Sequence, residues 1–323
     1  MNIINKLETD YIHYIKKKTQ QANKDNISRT MTYQKFYKIH PEIKWSFLAS
    51  MVSRNAGWNM TDLKTSVYKS FLKPRVRKQL FSTYERANWL IFSDAYPQLL
   101  LYQISLHLNR PMFHLLSSFS VSTFMVNEWF HFWKYKNQQR LLTALIINEQ
   151  NVIQSPVPKH PFYKHHVFMN WPYLLQDFFF MSVVLFPTRN GFIYATNVHD
   201  FTSLTKRIKL GKKLASILFH CDLYQDFYDF AVHTEHTGSR SDYQSYLKNS
   251  DGYPSPILRK VYPIITHQDK IRKDWFLNGG VKKKWWKPEI QLVEDNHWSV
   301  FCKKRKIIND FYKVKNKLKK TFA

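Results

Sequence analysis

Glycine is scarce in this sequence, and its scarcity is the strongest single constraint on the fold. The chain has 7 glycines in 323 residues, whereas a share of ~7% is usual in globular proteins. Hairpins, bulges and phosphate-binding loops use glycine where the backbone needs a positive φ or a close approach. Sandwiches, barrels, Rossmann units and P-loop NTPases are therefore disfavoured, and the sequence contains neither G-x-G-x-x-G nor G-x-x-x-x-G-K-[ST].

Apolar residues instead recur at helical spacing along most of the chain. This periodicity predicts helices over residues 3–24, 29–39, 62–72, 75–93, 97–108, 121–135, 138–154, 162–186, 200–219, 222–235, 256–264 and 302–320. A short extended piece is expected at 192–195. We predict an all-α protein, with a single large irregular helical bundle over residues 1–280 and a basic, Trp- and Lys-rich C-terminal appendage over 281–323.

Proline, glycine and capping residues set the expected helix boundaries. One further helix is expected to begin at Pro41 and to end before Gly57, because proline is favoured in the first turn and glycine after the last. Asn59 and Thr61 are candidate caps of the helix that follows. Asp200 is expected to cap the helix that ends near residue 219.

The cysteine content and the N-terminal sequence predict a compartment. The two cysteines, Cys221 and Cys302, are far apart and form no C-x-x-C motif, which suits a reducing cytosol. Residues 1–6 lack the apolar segment of a signal peptide. The longest apolar segment, 178–186, has nine residues even with Ser182 included, whereas a transmembrane helix needs about 20. We therefore expect a soluble cytoplasmic protein, which leaves attachment to a membrane surface open.

The charge of the chain is strongly positive. Lysine and arginine number 49 against 23 aspartates and glutamates, for a net charge of +26. Residues 301–323 contain nine of the basic residues and a single acid, Asp310. This excess predicts an acidic partner, either nucleic acid or an anionic membrane surface. The alternative is that a lysine-rich composition only keeps the protein soluble.

A second basic segment combines lysine with tryptophan. Lysine neutralises phosphate and tryptophan stacks on bases, so the segment is a candidate nucleic-acid-binding site. Its residues are Lys282, Lys283, Lys284, Trp285, Trp286 and Lys287. In the alternative interpretation the tryptophans pack on the core and the lysines beside them are only solvated. A further basic cluster comprises Lys73, Arg75, Arg77 and Lys78.

Acidic residues, which are few, concentrate in one predicted helix. Asp222, Asp226, Asp229, His233 and His236 follow one another at steps of four, three, four and three residues, so they share one face. Asp226, Asp229 and His233 are candidate ligands of a divalent metal ion, and His233 is also a candidate for catalytic proton transfer. The alternative is a solvated acidic face whose histidine interacts with the negative end of the helix.

Arginine and glutamate define another candidate site. Three Ser-Arg dipeptides make Arg29, Arg54 and Arg240 candidate ligands of a phosphate or carboxylate, provided that they converge. Arg54 and Glu149 each fall on the apolar stripe of a predicted helix, so we expect a buried ion pair between them. That pair is either structural or part of a polar catalytic site in which Glu149 transfers protons.

Five strings of the sequence stand out when they are read together. They are NISRT (26–30), PEIKWS (41–46), SRNAGWNMTDL (53–63), INEQN (147–151) and HTGSRSDY (236–243). Together they resemble the YppC-like family of uncharacterised proteins from Bacillus-type bacteria. The resemblance extends over about residues 1–280 and implies a domain of unknown function. It implies no catalytic residues for this chain.

Two classes of function agree with these features. The first is a non-enzymatic protein whose basic appendage binds an acidic partner, with nucleic acid as the leading interpretation and a membrane surface as another. The second is an enzyme that acts on an anionic substrate in a polar pocket of the bundle. In that enzyme the three arginines would hold the anion, Glu149 or His233 would move protons, and the acidic face would hold a divalent metal ion.

Overall fold

The computed structural model describes residues 6–154, 183–197, 203–247, 255–268, 272–289 and 298–321. Within these ranges the protein is all-α apart from one two-stranded hairpin, as the sequence predicts. Its helices and strands are α1 (Lys6–Ala22), α2 (Asn26–Ile39), α3 (Lys44–Asp62), α4 (Ser66–Phe71), α5 (Pro74–His107), α6 (Thr123–Tyr135), α7 (Gln138–Gln154), β1 (Val183–Pro187), β2 (Ile193–Asn197), α8 (Leu204–Leu218), α9 (Tyr224–His233), α10 (Ser241–Gln244), α11 (Leu258–Val261) and α12 (Trp298–Thr321). Short 3₁₀ helices lie at Phe113–Phe119, Trp275–Asn278 and Lys283–Trp285.

Helix α3 runs through the centre of the core. The apolar stripe expected there is confirmed, since Ile43, Phe47 and Met51 are buried. Burying a large apolar side chain is worth about 1.5–3 kcal/mol. Helix α2 packs along α3. Asp25 caps the start of α2, because its side chain accepts a hydrogen bond from the Ser28 backbone N–H. The α2–α3 pair is therefore the frame on which the polar groups described below are arranged.

The expected end of this central helix before Gly57 is wrong, because α3 continues to Asp62. Gly57 permits a close approach instead of ending the helix. A Cβ atom at this position would clash with Asn26 Oδ1 and would lie 3.1 Å from His236 Cε1. The missing side chain therefore lets two polar side chains from other parts of the chain reach the backbone of α3.

The expected break between residues 93 and 97 is also wrong, because α5 runs unbroken with Pro97 inside it. Proline has no N–H, so the Ser93 carbonyl four residues earlier loses its helical hydrogen bond. Arg272 compensates for this loss: its Nη1 donates to Ser93 Oγ at 2.7 Å, and its Nη2 lies 3.4 Å from Ser93 O. A side chain distant in sequence thus satisfies the carbonyl that proline leaves open, and the helix continues.

Strands β1 and β2 are antiparallel, with the register running from Val183↔Asn197 to Pro187↔Ile193. The extended piece expected at 192–195 is confirmed. The helix expected over 162–186 is wrong at its end, where β1 forms, and its residues 162–182 lie outside the described ranges. Asn55 of α3 holds the strand, because its Oδ1 accepts from Leu185 N and its Nδ2 donates to Leu185 O, both at 2.8 Å. The amide takes the hydrogen bonds that a neighbouring strand would otherwise supply.

Two caps differ from those expected. Thr65, rather than Asn59 or Thr61, caps α4 by accepting a backbone N–H, since α3 extends past both of the expected residues. Ser203 caps α8 in the same way. The expected cap, Asp200, lies outside the described residues.

The last helix, α12, lies against α4 and β2. Phe301 and Ile308 are buried on its inner side, while Lys303, Lys306 and Lys313 are exposed. Across the described ranges, no helix is both long and apolar enough to cross a membrane.

Candidate functional site

Arg54 lies fully buried at the C-terminal end of α9. Its Nη2 donates to the backbone carbonyls of Ala231 and Thr234, at 2.9 and 3.1 Å, and to Gln34 Oε1 at 3.0 Å. Carbonyls at a helix C-terminus carry partial negative charge, which favours a cation there. Burial lowers the pKa of Arg54 to about 10, although the charge of Asp242 acts in the opposite direction. Arg54 therefore acts as a buried cap of α9.

A chain of buried polar side chains links α2, α3 and α10. Asn26 Nδ2 donates to Ser53 O at 2.8 Å, and Asn26 Oδ1 lies 2.8 Å from His236 Nε2. His236 Nδ1 lies 3.3 Å from Asp242 Oδ2, which also accepts a hydrogen bond from Trp58 Nε1 at 3.0 Å. Burial lowers the pKa of His236 to about 4, although its hydrogen bond with Asp242 acts in the opposite direction. The expected position of His236 on the acidic helical face is wrong, because α9 ends at His233 and His236 is buried beyond it.

Arg240 is fully buried, and each guanidinium nitrogen has a partner. Nε donates to Asp62 Oδ2 at 2.8 Å, Nη1 to Tyr243 OH at 3.0 Å and Nη2 to Asn59 Oδ1 at 3.0 Å. Burial alone would lower the pKa of Arg240, but the neighbouring Asp62 carboxylate outweighs it and the pKa is raised. This ion pair fastens the segment before α10 to the end of α3.

Arg29 has a third, separate set of partners. Its Nη2 donates to Glu85 Oε2 at 2.6 Å, and its Nη1 donates to Asn23 Oδ1 at 3.2 Å. Burial alone would raise the pKa of Glu85, but the charge of Arg29 outweighs it and the pKa is lowered. Of the hydrogen bonds made by Arg29, Arg54 and Arg240 in the described structure, none goes to a shared partner. Each arginine is thus engaged by protein groups of its own.

The ion pair expected between Arg54 and Glu149 is not formed, because each side chain has other partners. Glu149 accepts hydrogen bonds from Trp45 Nε1 at 2.9 Å and from Gln150 Nε2 at 3.0 Å. Burial raises the pKa of Glu149 to about 7, although these two hydrogen bonds act in the opposite direction. Glu149 can therefore gain or lose a proton near neutral pH, a property that general bases require.

The raised pKa of Glu149 predicts a pH dependence of stability. The pKa of Glu149 is 4.5 in its ordinary state and about 7 in the folded protein. At pH values between these two, Glu149 holds a proton in the folded protein and releases it in the unfolded chain. The free energy of unfolding attributable to this group therefore falls as the pH rises through that interval. In a Glu149→Gln variant the side chain at position 149 carries no charge at any pH. We therefore expect this variant to be more stable than the wild type at pH 8 by about 1–2 kcal/mol.

Urea titrations at pH 5 and pH 8 measure this difference. At pH 5 the two proteins are expected to differ little, because Glu149 is then protonated. Glu235→Gln, at an exposed position, is the control and should match the wild type at both values. A stability difference of the same size at pH 5 and pH 8 would contradict the assignment.

The candidate metal ligands on α9 face the turn between β1 and β2. Arg189 Nη1 lies 3.1 Å from Asp229 Oδ2, and Asn190 Nδ2 donates to Asp226 Oδ1 at 3.5 Å. His233 Nδ1 lies 2.8 Å from Asp229 Oδ1. These contacts give the acidic face a structural role, because it holds the tip of the hairpin.

A tighter group of ligand atoms lies in the connection between α8 and α9. His220, Cys221 and Asp222 place an imidazole nitrogen, a sulfur and a carboxylate oxygen within 4.8 Å of one another. Cys221 Sγ donates to Asp222 Oδ1 at 3.3 Å, and His220 Nδ1 lies 3.7 Å from Asp222 Oδ2. Helical spacing does not predict this group, because its three consecutive residues lie in the connection between two helices.

The Lys–Trp segment packs one of its tryptophans on the body of the protein. Trp285 is buried and donates from Nε1 to Thr205 Oγ1 at 3.1 Å, while its carbonyl accepts from Lys212 Nζ at 3.0 Å. Trp286 is partly buried, with the Arg140 guanidinium 4.9 Å from its ring centre. These contacts favour the interpretation in which the rings pack and do not stack on bases. The exposed lysines of the segment are Lys282, Lys283, Lys284 and Lys287.

Helix α12 presents two kinds of side chain to solvent. Basic residues cover much of its outer side, and large apolar residues form a second exposed group. The apolar group, which we call the α12 stripe, consists of Val300, Ile307, Phe311 and Val314. The sequence-based prediction for this segment concerned only its charges. The signal for the stripe is a spacing of seven, four and three residues, but its exposure depends on which face of α12 packs inward.

A second basic surface adjoins α12. Helix α12 contacts α4, and Lys315 Nζ donates to Ser70 O at 2.6 Å. The exposed basic residues on α4 and at the start of α5 are Lys69, Lys73, Arg75 and Lys78. An open groove of about 610 Å³ lies beside α4 and is lined by Lys64, Thr65, Lys69, Ser255, Pro256 and Val261.

Comparison with known proteins identifies a family for this chain. The family model described as "Protein of unknown function (DUF2515)" matches residues 21–296. The chain belongs to this family. The uncharacterized protein YppC of Bacillus subtilis is 47% identical to it over 309 residues, which cover 95% of each chain. The resemblance predicted from the sequence is thereby confirmed. No solved structure matches the chain.

The DUF2515 match ends at residue 296, just before α12 begins. The buried arginines and the acidic face of α9 therefore lie within the DUF2515 region, and the basic helix follows it. The family and YppC are described as being of unknown function and uncharacterized, respectively. These matches therefore assign no function to the chain, and the geometry of its own residues is the basis for the function proposed below.

Proposed function

We propose that this protein is a cytoplasmic, non-enzymatic binding protein that attaches to an anionic partner through α12. The observation that carries the proposal is the charge of the helix, which contains nine lysine and arginine residues and one acid, Asp310. Lys303 and Lys306 are exposed, and no carboxylate in the described part of the chain lies within 4 Å of either. Charges that the fold does not neutralise are available to a partner.

The surface beside α12 supports the same function. Because α12 contacts α4, its charges lie next to the exposed basic residues of α4 and the start of α5. Basic clusters that are far apart in sequence thus extend one positively charged surface. In this proposal residues 281–323 form the binding appendage of a helical domain that spans residues 1–280.

Binding is favoured over catalysis by the state of the buried arginines. Each of the three candidate anion ligands is buried and donates to protein groups, and two of them pair directly with a carboxylate. In the described structure Arg29 Nε, Arg54 Nε and Arg54 Nη1 have no hydrogen-bond partner. A substrate anion would have to enter a desolvated site, and at Arg29 and Arg240 it would also have to displace a carboxylate. Lys303, Lys306 and Lys313 of α12 require no such displacement, since they are exposed to solvent.

The proposal predicts that neutralising exposed lysines on α12 weakens binding to a polyanion. A basic side chain near an anionic surface contributes about 1 kcal/mol at moderate salt. The triple variant Lys303→Gln, Lys306→Gln, Lys313→Gln is therefore expected to bind heparin about 100-fold more weakly than the wild type. Its affinity should also depend less steeply on salt, because fewer counterions are released. Titration of the full chain with heparin at several salt concentrations measures both quantities.

The matched control removes the same charge from another surface. Lys16, Lys17 and Lys18 are exposed on α1, and their replacement by glutamine lowers the net charge equally. We expect this variant to bind heparin nearly as the wild type does. If the α1 and α12 variants weaken binding equally, binding depends on the net charge of the protein and the proposed role of α12 is wrong.

A further inference from the structure

The exposed apolar side chains of α12 lie on one face of the helix. Val300, Ile307, Phe311 and Val314 are 39%, 47%, 58% and 56% exposed. They are separated by seven, four and three residues, and residues at these spacings share a face of an α-helix. Large apolar side chains exposed together in this way mark an interaction surface, whereas isolated ones are ordinary.

The α12 stripe is distinct from the face that the fold uses. Phe301 and Ile308, which are both buried, pack α12 onto the body of the protein. Lys315 and Tyr312 lie on the same inner side, and Lys315 donates to a backbone carbonyl of α4. The stripe is therefore not needed to dock α12 on its neighbours, and substitutions there should leave the fold intact.

Exposed lysines adjoin the α12 stripe. Lys303 lies one helical turn from both Val300 and Ile307, and Lys317 lies one turn after Val314. Lys306 and Lys313 are exposed further around the helix. An apolar strip bordered by basic side chains is the arrangement of helices that lie in the interface of a membrane. Their apolar face enters the boundary between headgroups and acyl chains, and their lysines contact anionic headgroups.

We infer that the anionic partner of this protein is a lipid bilayer, and that α12 lies in its interface with the α12 stripe inserted. The inference rests on the proposed function of α12 and names its partner. It is carried by the combination of apolar and basic side chains on one helix, because an anionic bilayer offers an acceptor for each of them.

The side chains of α12 favour a lipid bilayer over two other candidate partners, a second copy of the chain and a nucleic acid. A second copy of the chain would bring together two helices that each contain nine basic residues and one acid, on proteins of net charge +26. Their repulsion opposes that contact. A nucleic acid would satisfy the lysines through its phosphates, but it would leave the α12 stripe in water.

Vesicle binding by the full-length protein tests the inference. The probes are two kinds of large unilamellar vesicle. One contains phosphatidylcholine alone, and the other contains phosphatidylcholine with about 30% of the anionic lipid phosphatidylglycerol. We expect flotation with the anionic vesicles only. The double variant Ile307→Ser, Phe311→Ser is expected to bind them about 30- to 100-fold more weakly, since it removes the larger apolar groups of the stripe. Its binding to heparin should match that of the wild type.

A matched control removes exposed apolar groups elsewhere. Leu7 and Tyr14 are 51% and 49% exposed and are also seven residues apart on one helix. Their double replacement by serine should leave vesicle binding unchanged. Circular dichroism and the urea midpoint of each variant establish that it is folded. In addition, the emission of a Phe311→Trp variant, taken as the difference from the wild type with its 10 tryptophans, should shift to shorter wavelength with anionic vesicles and not with duplex DNA.

The outcomes separate the lipid inference from the proposed function. If heparin binding depends on the α12 lysines but the serine variant of the stripe floats as well as the wild type does, α12 binds anions without inserting and the lipid inference is wrong. The same conclusion follows if duplex DNA is bound and anionic vesicles are not. If the lysine variant binds heparin and vesicles as the wild type does, the proposed function itself is wrong.

Discussion

Replacing Arg240 with alanine is expected to lower the free energy of unfolding by about 3–5 kcal/mol. The Arg240 and Asp62 side chains are 3% and 4% exposed, and they are joined at 2.8 Å. Removing the guanidinium leaves the Asp62 carboxylate buried without its positive partner, and an uncompensated buried charge is strongly destabilising. The substitution also removes the donors to Asn59 and Tyr243. Urea titration followed by circular dichroism measures the loss.

A solvent-exposed ion pair supplies the control for Arg240. Arg189 and Asp229 are joined at 3.1 Å, with side chains 42% and 38% exposed. Arg189→Ala is expected to change the free energy of unfolding little, because water solvates the carboxylate that remains. The double variant Asp62→Ala, Arg240→Ala should be more stable than the sum of the single changes predicts. Equal losses for Arg240→Ala and Arg189→Ala would show that burial of the pair has no effect.

Replacing Gly57 with alanine is expected to destabilise the protein by about 1–3 kcal/mol, the usual cost of overpacking a core. In the interior of an ordinary helix the same change would be stabilising by about 1 kcal/mol. At Gly57 the change in stability has the opposite sign, because the new Cβ would clash with Asn26 Oδ1 and crowd the ring of His236. Both side chains are held by hydrogen bonds, so they cannot move aside without breaking the polar chain that links α2 to α10.

The mechanism of the Gly57 effect can be tested with a second substitution. In an Asn26→Ala background the atom that clashes with the Cβ is absent. We expect Gly57→Ala to cost at least about 1 kcal/mol less in that background than in the wild type. Unfolding free energies of the four proteins in the cycle give the coupling. A stabilising effect of Gly57→Ala in the wild type would overturn the assignment of Gly57 to a close approach.

Local signals were sufficient to predict α6 and α7. The expected ranges 121–135 and 138–154 correspond to Thr123–Tyr135 and Gln138–Gln154. Ser122 caps α6 by accepting from a backbone N–H, and Lys136 ends it in the left-handed conformation. Every residue that sets these boundaries lies within a few positions of the helix, so its effect can be read from the sequence.

The elements that could not be predicted depend on distant partners. α5 passes through Pro97 because Arg272 satisfies the carbonyl of Ser93. β1 is bordered by Asn55, which is 130 residues from Leu185. No periodicity or capping rule contains such contacts, because they form only when separate helices have packed. The same limit applies to the candidate site, where Arg54 meets α9 instead of Glu149.

The order of the residues is enough to show that the chain is helical, strongly basic and a relative of YppC, because spacing, charge and identity can be read along the chain. Which charges are exposed to solvent depends on how the helices pack. Arg29, Arg54 and Arg240 are buried, and a desolvated charge must find its partners within the fold. Lys303, Lys306 and Lys313 of α12 stay in water, where solvation is sufficient. Whether a side chain is buried or exposed is determined only when the helices pack. That packing distinguishes the basic side chains that hold the fold together from those that face solvent, where our proposal has them bind an anionic partner.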